Sequence, residues 1–347
     1  MKNLQRVGAI SLVQVALLTL ANAAIAAPNS IYVANEGDST VSVVDIATFR
    51  PVRNIQVGRN PHNVQLSPDG KFAWVTNDGP HKPDGNTHQD ADKHGQTTES
   101  SGGEIWAIDT QTDRVVAQIV VGVHPAHVVL TPDGSQAYVT NGGEGTVSIV
   151  DLQAQKVIAT VKVGNYPHGI RISPDGKQAY VANLKSGTVS VIDTASRKQV
   201  AEITVGKGPA QVGFTPDGSA AFVSLSGEAK VALIDPRQRK MISKVGVESV
   251  PIQVYATPDS KTVIVANQGS KANPGKTVSF IDIATRRVVK TVETGKGAHG
   301  VVVDERGDRA YVSNTYANTV SSIDIRSGKV VATTPVGEAP NGISVLP

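Results

Sequence analysis

Residues 166–205 read YPHGIRISPDGKQAYVANLKSGTVSVIDTASRKQVAEITV. Four short segments rich in β-branched residues stand out: GIRIS (169–173), QAYVA (178–182), GTVSVI (187–192) and QVAEITV (199–205). Pro174-Asp175-Gly176, the loop Asn183 to Ser186 and the turn Asp193 to Arg197 separate them. β-Branched residues in near-alternation between turn signals predict strands, and Pro-Asp-Gly is a turn with a mechanism. The absence of any sustained 3.6-residue period excludes a stack of helices. The unit is therefore read as four antiparallel strands.

Working outward, the tetrad Tyr180-Val-Ala-Asn183 returns as Tyr32-Val-Ala-Asn35, Trp74-Val-Thr-Asn77, Tyr138-Val-Thr-Asn141, Phe222-Val-Ser-Leu225, Ile264-Val-Ala-Asn267 and Tyr311-Val-Ser-Asn314. Successive tetrads start 42, 64, 42, 42, 42 and 47 residues apart. Four strands every 42 residues make one blade of a β-propeller, a unit that cannot bury its faces alone. The expectation is an all-β, seven-bladed propeller of four-stranded blades. The chain enters at a second strand, Ser30 to Ala34, and ends after a first-strand sequence, Pro340 to Leu346. That C-terminal strand can complete the first blade, closing the ring and removing a free edge.

Before the repeats, Lys2 and Arg6 precede an apolar run from Ala9 to Leu20 and an Ala24-Ile25-Ala26 cleavage-like site. This reads as a signal peptide over 1–27, with the propeller over 28–347. The apolar run is short for a bilayer span, and no later segment qualifies as one. The implied location is the periplasm or the outside of the cell. Removing Lys2 and Arg6 takes the 33 basic and 30 acidic residues of the chain to 31 and 30. A near-neutral surface gives no electrostatic case for nucleic acid or an anionic membrane. The lack of cysteine excludes disulfides, c-type haem attachment, cysteine-ligated iron–sulfur or blue-copper centres and a thiol nucleophile.

Some repeated residues read as architecture. Asp45, Asp109, Asp151, Asp193, Asp235, Asp282 and Asp324 end the third strands, and Asp69, Asp133, Asp175 and Asp217 sit in Pro-Asp-Gly turns. Carboxylates there are expected to accept the N–H groups of tight turns.

The recurring tetrad, the S/T-P-D-G turn and the V-S-V-I-D strand resemble the YVTN β-propeller repeat family over nearly the whole mature chain. Related propellers include surface-layer repeats, the propeller domain of nitrous oxide reductase, d1-haem-binding proteins and lactonases. The resemblance implies the fold; chemistry so varied among relatives implies no active site.

Chemistry is sought where the repeats lose regularity. The 22-residue insertion, within about 78–103, holds no apolar residue larger than Pro or Ala and reads as a surface loop. It carries His81, His88 and His94, with Asp90, Asp92 and Glu99. His62, His168 and His299 occupy equivalent positions opening first strands, and His127 lies one position later, with His124 just before Pro125-Ala126. First strands line a propeller's channel, so all eight histidines are expected on or near one face, four of them at the channel mouth. The other blades carry Ala210, Ile252 and Asn341 at the position of His62, and Gln211 and Gln253 at that of His127. This asymmetry suggests an off-centre ligand. The shorter insertion, around Ser270 to Lys276, is expected on the same face.

Converging imidazoles are natural ligands for copper, zinc, nickel or iron. The candidate metal ligands are His62, His127, His168, His299, His81, His88 and His94. The candidate cofactor-binding set is His62, His127, His168, His299 and Asn341. The leading expectation is a periplasmic ligand-binding propeller holding a transition metal or metal-containing cofactor in a redox or cofactor-maturation role, with a small ligand or a periplasmic protein partner on the histidine-bearing face. The alternatives are a metal-assisted hydrolase or lactonase, in which a metal-bound water attacks a carbonyl, and a non-catalytic interaction scaffold. No G-x-S-x-G, H-E-x-x-H or dinucleotide fingerprint supports a metal-free enzyme.

Overall fold

The computed structural model describes residues 29–78 and 102–345. The tetrads are the hub of the architecture. Tyr180, Val181, Ala182 and Asn183 are all fully buried, and the alternation of the strand divides them between two neighbours. Tyr180 and Ala182 pack against Val212 and Val223 of the next unit, whereas Val181 packs against Val129 and Ile149 of the preceding one. Each sheet face is thus buried only because another unit stands beside it.

The result is seven four-stranded antiparallel sheets. The fourth blade runs from the innermost strand Pro167–Ile172 through Gln178–Asn183 and Thr188–Asp193 to the outermost Lys198–Thr204. The first blade is completed by the chain's last strand, Pro340–Val345, which pairs with Ser30–Asn35 through Ile31↔Val345, Tyr32↔Ser344 and Val33↔Ile343. The ring is closed as the chain ends imply. The shorter insertion is a continued hairpin: strands Thr262–Gly269 and Pro274–Asp282 lengthen together and pair at Gly269↔Pro274.

The last tetrad residue explains the third strand. Asn183 Nδ2 donates to Thr188 Oγ1 at 3.1 Å and Ser190 Oγ at 2.9 Å. Asn35, Asn141, Asn267 and Asn314 make the same pair of bonds in their blades. A buried amide is thereby satisfied where an unpaired one would be costly. In the fifth blade Leu225 replaces the asparagine, and Lys230 and Ala232 replace both hydroxyl residues.

The third-strand aspartates hold turns. Asp193 Oδ1 accepts the N–H of Ser196 at 2.7 Å, Asp282 Oδ1 that of Thr285 at 2.7 Å and Asp324 Oδ1 that of Ser327 at 2.8 Å. In the Pro-Asp-Gly turns, Asp175 Oδ1 accepts Ser173 Oγ at 2.6 Å and Lys177 N at 3.1 Å. Hydrogen bonds from Ser327, then from Arg309, lower Asp324 from 3.8 to about 2. A carboxyl that is more acidic in the folded chain stabilises it fully above the unfolded value and loses that effect as pH falls through the folded one. The melting temperature is therefore expected to drop between about pH 4 and pH 2, and the drop to be smaller in Asp324→Asn. Thermal unfolding across that window checks it, and identical acid profiles would count against the turn aspartates.

The signal-like segment and most of the 22-residue insertion, with His81, His88 and His94, lie outside the described residues. Among the described residues no helix is long and apolar enough to cross a membrane.

Candidate metal centre

The innermost strands do not run as plain ladders. Pairing with the second strand slips between Pro125 and Val128, Pro167 and Ile170, and Ala298 and Val301. A bulge bends its strand and re-aims side chains. His127, His168 and His299 all sit inside such slips, and His62 lies two residues before its short inner strand, Val64–Leu66. Gly169 follows His168 and lets two inner strands touch. A Cβ there would lie 2.5 Å from the carbonyl oxygen of Ala210. Gly300 does the same after His299, its added Cβ falling 2.5 Å from the Asn341 carbonyl oxygen.

Tetrad hydroxyls stitch these bends together across blades. His127 N donates to Thr140 Oγ1 at 3.0 Å, and Thr140 Oγ1 donates to the His168 carbonyl at 2.6 Å. Gly300 N donates to Ser313 Oγ at 2.8 Å, which donates to the Asn341 carbonyl at 2.6 Å.

The imidazoles of His62, His127 and His168 form a compact group whose ligand-capable nitrogens lie within 4.8 Å of one another. Nε2 of His62 and Nε2 of His168 are 3.1 Å apart. The His62–His127 and His127–His168 ring centroids are 5.6 and 5.0 Å apart. His299 adjoins the group, its centroid 6.0 Å from that of His62.

Hydrogen bonding assigns the tautomers. His168 Nδ1 donates to the Ala210 carbonyl at 2.9 Å and His299 Nδ1 to Asn341 Oδ1 at 2.9 Å. Both rings therefore keep Nε2 as the lone-pair nitrogen, the arrangement that orients a histidine for a metal. His62 Nε2 donates to His168 Nε2, which leaves its Nδ1 to accept from Asn341 Nδ2 at 3.3 Å. His127 Nδ1 accepts from Gln211 Nε2 at 3.3 Å, so Nε2 carries the proton, and that nitrogen is buried with no hydrogen-bond partner. An orphaned donor of this kind calls for an explanation; a cation bound at that nitrogen would shift the ring proton to Nδ1 and turn the Gln211 amide so that its oxygen accepts it.

Burial pushes His127 well below the usual histidine range, with the charges of His168, His62 and Arg171 adding to it. Burial, then His62 and His168, brings His299 down to about 3. Both rings are neutral at pH 7, the state in which imidazole binds metals. Two nitrogens on one tetrahedral ion at bonds of about 2.05 Å stand roughly 3.3 Å apart. The 3.1 Å between the His62 and His168 nitrogens is close to that.

The remaining expected residues fall as follows. Asn341 joins the group through ring nitrogens: it accepts from His299, contacts His62 and donates to Glu36. His124 stands apart from the three rings and faces Asp78, with Nδ1 and Oδ1 3.4 Å apart. Gln211 touches His127, and Gln253 is buried. Three contributors had not been singled out from the sequence. Glu36 lies 3.5 Å from His62 Nδ1, Thr140 links two histidine-bearing strands, and Arg171 enters the same channel. Glu36 and Asp78 follow directly on the tetrad asparagines, where the other blades carry no acid; that contrast was a readable signal.

Comparison with known proteins agrees with this architecture. Residues 89–212 match the cytochrome D1 heme domain family and residues 3–91 the YNCE-like beta-propeller family. His62 thus lies in the second segment and His127 and His168 in the first. Antigen Lp49 of Leptospira interrogans serogroup Icterohaemorrhagiae serovar copenhageni (strain Fiocruz L1-130) is 29% identical over 113 residues, 33% of this chain and 23% of the antigen. The chain therefore aligns with under a quarter of that relative's length. Hydrazine synthase of Kuenenia stuttgartiensis superposes with a TM-score of 0.68 at 25% identity, covering 81% of this chain and 88% of that one. A functionally unknown protein from Desulfotomaculum acetoxidans DSM 771 gives 0.74 at 21%, covering 91% and 98%. The dihydro-heme d1 dehydrogenase NirN, in complex with DHE, gives 0.65 at 16%, covering 92% and 75%. The last two show the fold alone. The chain is a seven-bladed propeller similar to YNCE-like and d1-heme propellers, and it has a three-histidine cluster, buried at His127 and half-buried at His62 and His168, able to coordinate a metal ion.

Proposed function

We propose that this protein is an exported, ligand-binding propeller that holds one transition-metal ion through His62, His127 and His168, with His299 as the adjoining fourth ring, in a redox or cofactor-maturation role. The observation that carries this reading is the 4.8 Å span of three imidazoles drawn from three different blades. Neutral nitrogen ligands with no thiolate suit copper, zinc or iron, and a redox role narrows these to copper or iron. Similarity to a cytochrome d1 heme domain and to hydrazine synthase supports the redox setting, and the signal-like start supports export.

The same geometry favours a single ion over a tetrapyrrole. The His62 and His168 nitrogens, 3.1 Å apart, have the spacing of two neighbouring ligands of one ion. Three protein ligands also leave a position open for a small ligand, the pattern of a reactive site.

The test is elemental analysis after chelation and reloading with Cu(II), Zn(II) and Fe(II). About one ion per chain is expected to survive desalting for at least one of them. Metal content at background for all three would overturn the proposal.

A further inference from the structure

Along the innermost strands, one position is set opposite the first residue of each tetrad. It carries Arg171 opposite Tyr180 in the fourth blade, and Gln65, Val129, Gly213, Tyr255, Val302 and Ser344 in the others. One cation in a ring of otherwise uncharged side chains is a departure from the repeat. Ile170 and Ile172, on either side of Arg171, pack into the core shared with the third blade. Arg171 therefore projects from the opposite face, toward the fifth blade, where the equivalent residue is Gly213 and offers no side chain. Its charge helps lower His127 of the third blade, and Tyr255 of the sixth offsets part of the lowering that burial imposes on Arg171 itself. These blades lie on opposite sides of it, so the guanidinium occupies the central channel.

Among the described residues Arg171 has no counter-ion there. Its Nη1 is buried with no hydrogen-bond partner. Among the described residues no carboxylate forms an ion pair with it. Arg171 is half-buried as a residue, and its guanidinium stays charged; an N–H group shut from solvent without an acceptor is costly. Its planar fork of donors matches two oxygens held in one plane. Three residues of strand, about 10 Å, separate it from His168, with the bulge shortening the path.

We propose that Arg171 is the receptor for a small carboxylate-class anion bound in the channel on the inner side of the histidine group. The guanidinium grips its two oxygens and turns its other end toward the three rings. This deepens the metal reading by naming the class of ligand that meets the ion, but the arginine contact itself does not require an ion.

Formate and acetate are the probes, titrated calorimetrically into the full chain at pH 7 and low salt, before and after zinc loading. The metal-free protein is expected to bind at least one of them. Arg171→Gln is expected to weaken that binding at least tenfold while keeping the wild-type circular dichroism spectrum and zinc stoichiometry. Arg171→Lys, which retains charge but loses the fork, should also fall well short of wild type, and it serves if the glutamine variant does not fold. His168→Ala should lose zinc and keep anion binding in the metal-free state. No binding of either anion by wild type, or equal affinity in the arginine variants, would overturn the proposal. Failure to load any metal, with arginine-dependent anion binding intact, would sink the metal reading alone.

Discussion

Replacing His168 with alanine should abolish stoichiometric metal loading while leaving the propeller folded. The ring contributes one of three nitrogens that sit within 4.8 Å of one another, and its Nδ1 is held by the Ala210 carbonyl, which fixes Nε2 toward the group. Loss of an outer hydrogen-bond partner alone typically costs 10–100-fold in metal affinity. Loss of a ligand should cost more, at least about 100-fold, and His62→Ala and His127→Ala should match it. Asn341→Ala, which frees His299 and disturbs His62, belongs in the 10–100-fold range. His124→Ala is the control, because that ring faces Asp78 and not the group. Competition with a chromogenic chelator measures each affinity, and circular dichroism checks the fold. If His168→Ala binds as tightly as wild type while a variant lacking His81, His88 and His94 does not, the ion sits on the insertion and the trio is not its site.

The fold was legible because a repeat states its own register. Seven tetrads at a near-constant spacing specify the blades, and the two chain ends specify the closure. The convergence of histidines followed from topology, since equivalent first-strand positions share one channel. The meeting of His127 with His62 and His168 did not follow from alternation. His127 is offset by one residue, and in a regular strand a one-residue offset points the side chain to the other face. The slip between Pro125 and Val128 removes the conflict, and a bulge leaves little trace in sequence. Arg171 was hidden for a different reason. It lies in a strand segment, GIRIS, that reads as ordinary β structure, and its lack of a partner is visible only once the surrounding blades are in place. Thr140 was absorbed into the tetrad pattern, although the blades with alanine at that position, Ala34, Ala182 and Ala266, lack the stitch that it makes.

Truncating the chain after Ala339 should have the largest effect on stability, because the last strand has three tasks at once. It completes the first blade against Ser30–Asn35. It places Ile343, 4% exposed, in the cluster that joins the last and first blades with Ile31, Val33, Val302 and Tyr311. It also reaches the second blade, where Leu66 N donates to Ser344 Oγ at 3.1 Å and Gly342 N donates to the His62 carbonyl at 3.0 Å. Removing a buried isoleucine side chain alone costs about 2–5 kcal/mol, and each lost hydrogen bond about 1 kcal/mol. Together these project to a melting temperature lower by on the order of 10–20 °C. The bared strand Ser30–Asn35 becomes an open edge, so the truncated protein should also self-associate. A synthetic peptide of residues 340–347 should restore much of the lost stability by adding itself as the missing strand. Ile343→Ala separates packing from closure: it keeps the strand and should account for only the first part of the loss. A truncated chain that melts within a few degrees of wild type would mean that the ring is held by its blade-to-blade cores without the seam. Because Asn341 leaves with the strand, truncation should also weaken metal loading, and the peptide should recover both properties together.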